Sequence, residues 1–375
     1  DPHNVGAILR SAEPICDVFF WHEFSAYFTF DPCYSKIPNS SSNIGRLAAV
    51  VNKQTISPAQ IAIICATKDR PDKIRNLLES LARLKSQPNQ ILIADGGHNL
   101  KSLVKEFAGR INVSCFYCPE PGQILQRNYA HLMLHQDIRL VLHLDDDITL
   151  EPASLDKALH HWNWLTSETG KPLVGMAFNV VNLPRKKDNL LRRLAIMRVE
   201  PMGRVWSSGF ASPHVPVPDG VGEIRETSWL VGGATLWSRN ALATPHPLSF
   251  ATRWAVCEDV IFSYPFSHKN RLVVCGDAVA HHNDSYVHHS FAKSMFYGES
   301  QVVMRYVLVG SNTDLSKLAF FWSNGLHMFG YLACAILVNK NALGTGIGMM
   351  LGLMKVLFAQ FTGRSHIDLA RDLAQ

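Results

Sequence analysis

Apolar positions follow two rhythms in the first half of the chain. Ile61-Ala62-Ile63-Ile64-Cys65-Ala66 is an unbroken apolar run of strand length, closed by the polar Thr67-Lys68-Asp69-Arg70. Pro71 then opens a segment to about Leu84 in which Ile74, Leu77, Leu78 and Leu81 recur at helical spacing. The alternation repeats. A strand is expected over Gln90 to Ala94, a helix over Asn99 to Ala108, a strand over Val113 to Tyr117 and a helix over Gln123 to Leu134 after Pro121-Gly122. A fourth strand over Arg139 to Leu144 runs into Asp145-Asp146-Asp147. Strands alternating with helices build right-handed βαβ units and a parallel sheet, and such sheets bind ligands at the carboxyl ends of their strands. Thr67 to Arg70, Asp95 and the Asp145–Asp147 run all fall at those ends.

The flanks read differently. Residues 1–57 are an N-terminal extension, aromatic-rich around Phe19, Phe20, Trp21, Phe24, Tyr27, Phe28 and Phe30, with a loop at 38–43. Residues 175–250 mix short strands and loops, and the Arg185-Lys186-Lys187 and Arg192-Arg193 patches read as a solvated face in preference to a contact with membrane phosphates or an anionic acceptor. Leu318 to Val338 and Ala342 to Phe361 are apolar runs approaching the roughly 20 residues that span a bilayer. Gly344, Gly348 and Gly352 are four apart, so they line one helical face that another helix can approach closely. Membrane contact, spanning or lying in the interface, is the expectation. The alternative is a helix pair buried against the catalytic domain or a dimer partner. The expected division is 1–57, a catalytic domain at 58–290 and a helical, membrane-associated region at 291–375.

Composition narrows the function. Charged residues are 18% of the 375, below the usual quarter, and hydrophobic residues are 47%. The net charge of +5 suits an anionic substrate or membrane surface, but no basic block is long enough for a nucleic-acid binder. Of eight cysteines, Cys65 and Cys334 sit in apolar runs. Cys115 and Cys118 form a C-x-x-C inside a strand with no second pair at zinc spacing, so reduced structural thiols are expected. No signal peptide is visible in a sequence that begins at Asp1.

Three acidic clusters carry candidate chemistry. In extended backbone Asp145 and Asp147 would share a side, making a hard oxygen site for Mg²⁺ or Mn²⁺, which in turn grips a diphosphate. Glu258-Asp259 precedes the apolar Val260-Ile261-Phe262; one of these carboxylates is a candidate general base for an acceptor hydroxyl. His281-His282-Asn283-Asp284 follows a strand over Leu272 to Cys275, and a neutral imidazole is a competent metal ligand. The paired glycines of Trp229-Leu230-Val231-Gly232-Gly233-Ala234 allow close approach to a ligand oxygen or a tight turn.

Taken in order, these pieces resemble family 2 glycosyltransferases of the GT-A fold, from about Ile61 to Ser285. The carriers are Thr67-Lys68-Asp69-Arg70-Pro71, Asp95-Gly96-Gly97, Gln126-Arg127-Asn128, Leu144-Asp145-Asp146-Asp147, Trp229 to Gly233, Cys257-Glu258-Asp259-Val260 and Ala278-Val279-Ala280-His281. The resemblance implies an α/β, Rossmann-like, mostly parallel sheet flanked by helices, and an inverting, metal-dependent transfer of a sugar from a nucleotide sugar. It implies that Thr67, Asp69, Arg70 and Asp95 hold base and ribose, with Arg127 near the phosphates. Asp145, Asp146, Gly232 and Gly233 would line the donor. Asp145, Asp147 and His281 would be the metal ligands, although adjacent His282 leaves open which ring turns inward. Asp259 would be the base, supported by Glu258. The Gly96-Gly97-His98 turn lacks the second acidic residue and Ser common in that loop.

The partners so implied are a UDP- or dTDP-type donor, a glycan or lipid-linked acceptor, a membrane and a possible homodimer, with a role in cell-surface or secreted glycan synthesis at the cytoplasmic face of the cell membrane. A nucleotidyltransferase is disfavoured because no glycine-rich loop follows the first strand. A non-enzymatic membrane scaffold would leave the acidic clusters unexplained.

Overall fold

The computed structural model describes residues 55–97, 100–120, 122–183, 188–217, 222–252, 256–283, 290–337 and 340–374. The N-terminal expectations, Arg185 to Lys187 and Cys16 and Cys33 lie outside them. Residues 1–55 and 56–375 separate into two units, and the second holds the sheet and the helices that build the candidate site.

The βα alternation is present. β1 (Ile61–Thr67), α1 (Pro71–Ala82), β2 (Gln90–Asp95), α2 (Lys101–Phe107), β3 (Val113–Tyr117), α3 (Gln123–Leu132) and β4 (Leu140–Asp145) succeed one another. β1 is buried on both faces, which is why it reads as a continuous apolar run. Ile61, Ile63 and Cys65 pack with Ile74, Leu77, Leu78 and Leu81 of α1, whereas Ala62 and Ile64 pack with Ala130 of α3 and with Leu134 and Ile138.

The second half departs from that pattern. It contains β5 (Ile148–Leu150), α4 (Ser154–Ser167), β6 (Leu173–Val180), α5 (Leu190–Leu194), β7 (Ile224–Glu226), β8 (Ala234–Ser238), α6 (Arg239–Leu242), α7 (Glu258–Ser267) and β9 (Arg271–His282). The sheet runs β3-β2-β1-β4-β8-β6-β9-β5, with β7 on β9. The first four strands are parallel, but β8 enters antiparallel to both β4 and β6, and β5 and β7 are antiparallel to β9. The sheet is therefore mixed, within the expected α/β class.

The C-terminal layer is helical: α8 (Phe291–Ser311), α9 (Lys317–Leu337), α10 (Lys340–Phe361) and α11 (His366–Ala374). α8 is buried nearly all round from Gln301 to Val309, so it lacks an amphipathic signature. α8, α10 and α11 share one core with Val260, Ile261 and Tyr264 of α7. The glycine stripe of α10 meets α8. A Cβ on Gly344 would lie 2.8 Å from the Phe291 carbonyl oxygen and one on Gly352 3.0 Å from that of Glu299, and one on Gly348 would collide with Met295. One helical segment among the described residues, Asn341–Phe361, is long and apolar enough to cross a bilayer, and half of it is buried in protein. All six described cysteines are free.

Candidate functional site

The carboxyl ends of β1, β2 and β4 meet at one rim. After β1 the backbone takes a left-handed turn at Asp69 (φ 55°), a conformation Asp tolerates better than most residues. The Asp69 side chain then occupies the space a Cβ on Gly97 would need, so glycine is required there. Gln126 Nε2 donates to the carbonyls of Thr67 and Ala94, both at 2.7 Å, fastening β1 to β2 from α3. Asp95 is buried and accepts from the Gly97 amide at 2.8 Å.

The acidic run distributes its three carboxylates over three sets of partners. β4 ends at Asp145 and the chain turns at 146–147, so strand alternation does not govern where Asp147 points, contrary to the expectation from extended backbone. Asp145 accepts from Arg127 Nη2 at 2.8 Å and Gln123 Nε2 at 2.6 Å. Asp146 accepts from Thr67 Oγ1 at 2.7 Å and Arg70 Nη1 at 3.0 Å. Asp147 lies 3.5 Å from Arg70 and 3.6 Å from His282. Burial, opposed by Arg127 but reinforced by Asp147 and Glu258, pushes the Asp145 carboxyl up to about 6. About a third of the Asp145 side chain remains exposed, so solvent screening tempers that rise.

The two adjacent histidines at the end of β9 turn to different partners. β5 pairs with β9 so that Ile148 lies opposite His282 and Thr149 opposite His281. Strand alternation turns His281 to Glu151, 3.4 Å away, and puts His282 beside Asp147. Asn283 donates to the Asp147 carbonyl at 2.6 Å, pinning the end of β9 to the acidic turn.

The second wall of the site comes from β8 and α7. The antiparallel ladder puts the Asp145 amide 2.9 Å from the Gly233 carbonyl, and a Cβ on Gly233 would meet Asp145 Oδ2 at 2.5 Å. The Gly232 amide points to Asp259 Oδ2 at 3.3 Å, and its carbonyl accepts from Arg127 at 3.0 Å. Arg127 is the hinge of the arrangement: buried on α3, it reaches Asp145 at 2.8 Å and Glu258 at 3.6 Å. The acidic run and the Glu258-Asp259 pair, more than a hundred residues apart, therefore converge.

Within that second pair the environments differ. Burial acts to raise Glu258, but the hydrogen bond to His246 at 3.1 Å and the Arg127 charge outweigh it and hold this carboxyl below its ordinary range. Asp259 is pushed up to about 7, first by burial and then by the Glu258 charge, against the backbone donors of Val260 and Gly232. A cavity of about 40 Å³ adjoins the pair, lined by Arg127, His131, His143, His246 and Phe262 among others. Burial, helped by the Arg127 charge, holds His131 down to about 4 and pushes His143 well down, so both rings are neutral and share one N–H across 2.9 Å.

Sequence reasoning gave no role to Gln123 or His246, quoted Gln126 only as part of a motif, and left open which of His281 and His282 turns inward. Gln126 was reachable through its neighbour Arg127. The single histidine of a loop carries no signal in sequence.

Residues 62–171 match the model for glycosyl transferase family 2. Over this segment, under a third of its length, the chain is similar to family 2 glycosyltransferases. The match contains the rim motifs through Asp147; the Gly232-Gly233, Glu258-Asp259 and His281-His282 motifs lie beyond it. Among solved structures, TarS of S. aureus is 13% identical over 84% of this chain, with a TM-score of 0.42. This chain spans 55% of that one. The mannosyltransferase PcManGT from Pyrobaculum calidifontis, in complex with GDP-Man and Mn²⁺, is 14% identical over 83% of this chain and 85% of its own, at 0.47. GalNAc-T7 with UDP, GalNAc and Mn²⁺ is 11% identical over 72% and 54%, at 0.47. A comparison with curated proteins gives no match.

A divalent cation was expected in this domain. No three described His, Cys, Asp or Glu side chains are arranged as a closed cation cage. The donor set nonetheless fits an open site. Asp145 and Asp147 supply hard oxygens at a rim rich in carboxylates, and Mg²⁺-type cations are commonly held by one or two carboxylates plus substrate phosphates.

Proposed function

We propose that this protein is an inverting glycosyltransferase that moves a hexose-type sugar from a nucleoside-diphosphate donor to an acceptor hydroxyl. The observation that carries the reading is Arg127 linking Asp145 to Glu258, which sets the acidic rim and the raised carboxyl of Asp259 around one cleft. The donor's base and ribose take the rim of Thr67, Asp69, Arg70 and Asp95. Asp145 and Asp147, with His282 beside them, would hold Mg²⁺ or Mn²⁺. When bound, that cation supplies positive charge to the departing diphosphate.

The chain's own residues do the rest. Asp259 accepts the acceptor's hydroxyl proton while the acceptor oxygen bonds to the anomeric carbon. The anomeric C–O bond to the diphosphate breaks, and its electron pair leaves with the nucleotide. A single displacement inverts the anomeric centre. Glu258, held ionised by Arg127 and His246, keeps Asp259 a strong enough base near neutral pH. Arg70 and Arg127 are positioned to stabilise phosphate charge once the carboxylates engage the cation. A UDP- or dTDP-type donor and a glycan or lipid-linked acceptor, with a role in cell-surface or secreted glycan synthesis, complete the reading. Incubation with a panel of nucleotide sugars, with and without EDTA, tests it. Release of one nucleoside diphosphate, silenced by chelator and restored by Mg²⁺ or Mn²⁺, is expected. Full activity in chelator would end the cation assignment, and no hydrolysis or transfer with any donor would end the enzyme assignment.

A further inference from the structure

Two helices of the C-terminal layer carry apolar stripes that stay exposed. On α9 the stripe is Leu318, Trp322, Leu326 and Phe329, at helical spacing, with Leu318 at 81% and Phe329 at 64% exposure. On α10 it is Met350, Met354, Leu357, Phe358 and Phe361, with Phe358 at 67% and Phe361 at 92%. The two helices pack against each other. α5 joins them, because Trp322 Nε1 donates to the Leu194 carbonyl at 2.7 Å, and α5 exposes Leu190, Leu191 and Leu194. A lone exposed leucine needs no explanation, but stripes of this length on adjoining helices mark a binding surface.

Charge identifies the occupant. From Leu315 to Ile367 the chain has no aspartate or glutamate but carries Lys317, Lys340, Lys355 and Arg364, of which Lys355 pairs with Glu299 of α8 and Arg364 with Asp372 of α11. α5 adds Arg192 and Arg193 between its leucines, with Arg193 3.6 Å from Asp188. A second copy docked about a two-fold axis would set these cations against one another, whereas anionic headgroups complement them. We propose that the α5, α9 and α10 face rests in the surface of an anionic lipid bilayer, with both long helices lying in the interface and not crossing it. The basic patch at Arg192-Arg193, expected from sequence to be a merely solvated face, is then part of the contact.

The lying orientation follows from what holds the inner sides. α10 is fastened to α8 along its length through Gly344, Gly348 and Gly352. α8 in turn carries buried Ser300, Gln301 and Arg305, and Arg305 and Val309 pack on Gly209 of the catalytic part. α9 buries Ser323 and Asn324, the latter accepting from Arg305 at 2.6 Å. Drawing α10 through hydrocarbon would drag this polar layer with it, at several kcal/mol per unsatisfied group. An amphipathic helix resting at headgroup depth exposes only its apolar side to lipid.

Flotation of the full chain with vesicles tests this independently of turnover. The protein should float with phosphatidylcholine vesicles containing phosphatidylglycerol and float several-fold less with phosphatidylcholine alone. Combined L318S, F329S, F358S and F361S should lower partitioning by roughly tenfold or more, with circular dichroism and the melting temperature unchanged because all four side chains face outward. Arg192→Gln with Arg193→Gln should lower it by about fivefold per charge at low salt. Alkaline carbonate should release native protein from membranes. Failure to float with anionic vesicles overturns the proposal. So does resistance to carbonate, which marks a spanning helix, or a dimer that the serine substitutions dissociate.

Discussion

The turn after β4 and the start of α7 both hold adjacent carboxylates, joined through Arg127, yet their surroundings treat them in opposite ways. At the first, cationic or hydrogen-bonding side chains attend every carboxylate: Arg127 and Gln123 on Asp145, Arg70 and Thr67 on Asp146, Arg70 and His282 near Asp147. At the second, Arg127 and His246 attend only Glu258, and Asp259 is left with backbone donors and a raised affinity for protons. Identical functional groups acquire a network of donors in one place and a raised affinity for protons in the other because their neighbours differ.

That contrast can be broken in graded steps. Asp259→Asn should lower kcat by roughly 10³-fold while leaving donor affinity within about twofold, since general-base contributions are typically 10² to 10⁴; calorimetry of donor binding beside turnover separates the two. Asp259 has a raised folded value, so its ionisation opposes folding as pH climbs through about 7. The Asn variant should therefore melt no lower than the parent at pH 8. Retained turnover would remove Asp259 from the mechanism.

Gly233→Ala should cost activity by roughly 10- to 100-fold, because the added methyl would displace Asp145 Oδ2, and misplacing a reacting or binding group by about 1 Å is worth that much. The loss should appear in donor and cation affinity more than in stability. Glu258→Gln is a finer probe. The base must be ionised, so kcat/KM should rise with pH through about 7 in the parent. Removing the neighbouring negative charge should move that limb to lower pH, and an unmoved limb would mean that a group other than Asp259 is titrating. His246→Phe is the mildest change. It deletes one hydrogen bond to Glu258, costing about 1 to 2 kcal/mol of stability, and, by making Glu258 easier to protonate, should move the same limb slightly to lower pH, with His246→Gln recovering part of the effect.

How much could be read without coordinates differs between the same two places. The first four strands and their helices were readable because β1, β2 and β4 are buried on both faces and each ends in a contiguous polar motif; the family match covers this stretch. The base wall depends on β8, a short strand entering antiparallel, and on a histidine twelve residues before its partner Glu258, which only packing brings together. α8 was legible only as part of a helical region at 291–375, because its stretch from Ser300 to Val309, buried on all sides, has no polar face to set its period. Which of His281 and His282 turns toward Asp147 depends on the register between β5 and β9, which nothing local in the sequence specifies.

The direct ladder between β4 and β8 has a consequence for how this scaffold can diversify. The two chemical centres are locked together by adjacent hydrogen-bonded strands, from Leu140 opposite Ser238 to Leu144 opposite Ala234. The long excursion between β6 and β8 leaves and re-enters the sheet without interrupting that lock. This stretch can therefore vary at its exposed positions while Asp145 and Gly233 keep their spacing, provided that the contacts of Gly209 with α8 and of His214 with Val231 are kept.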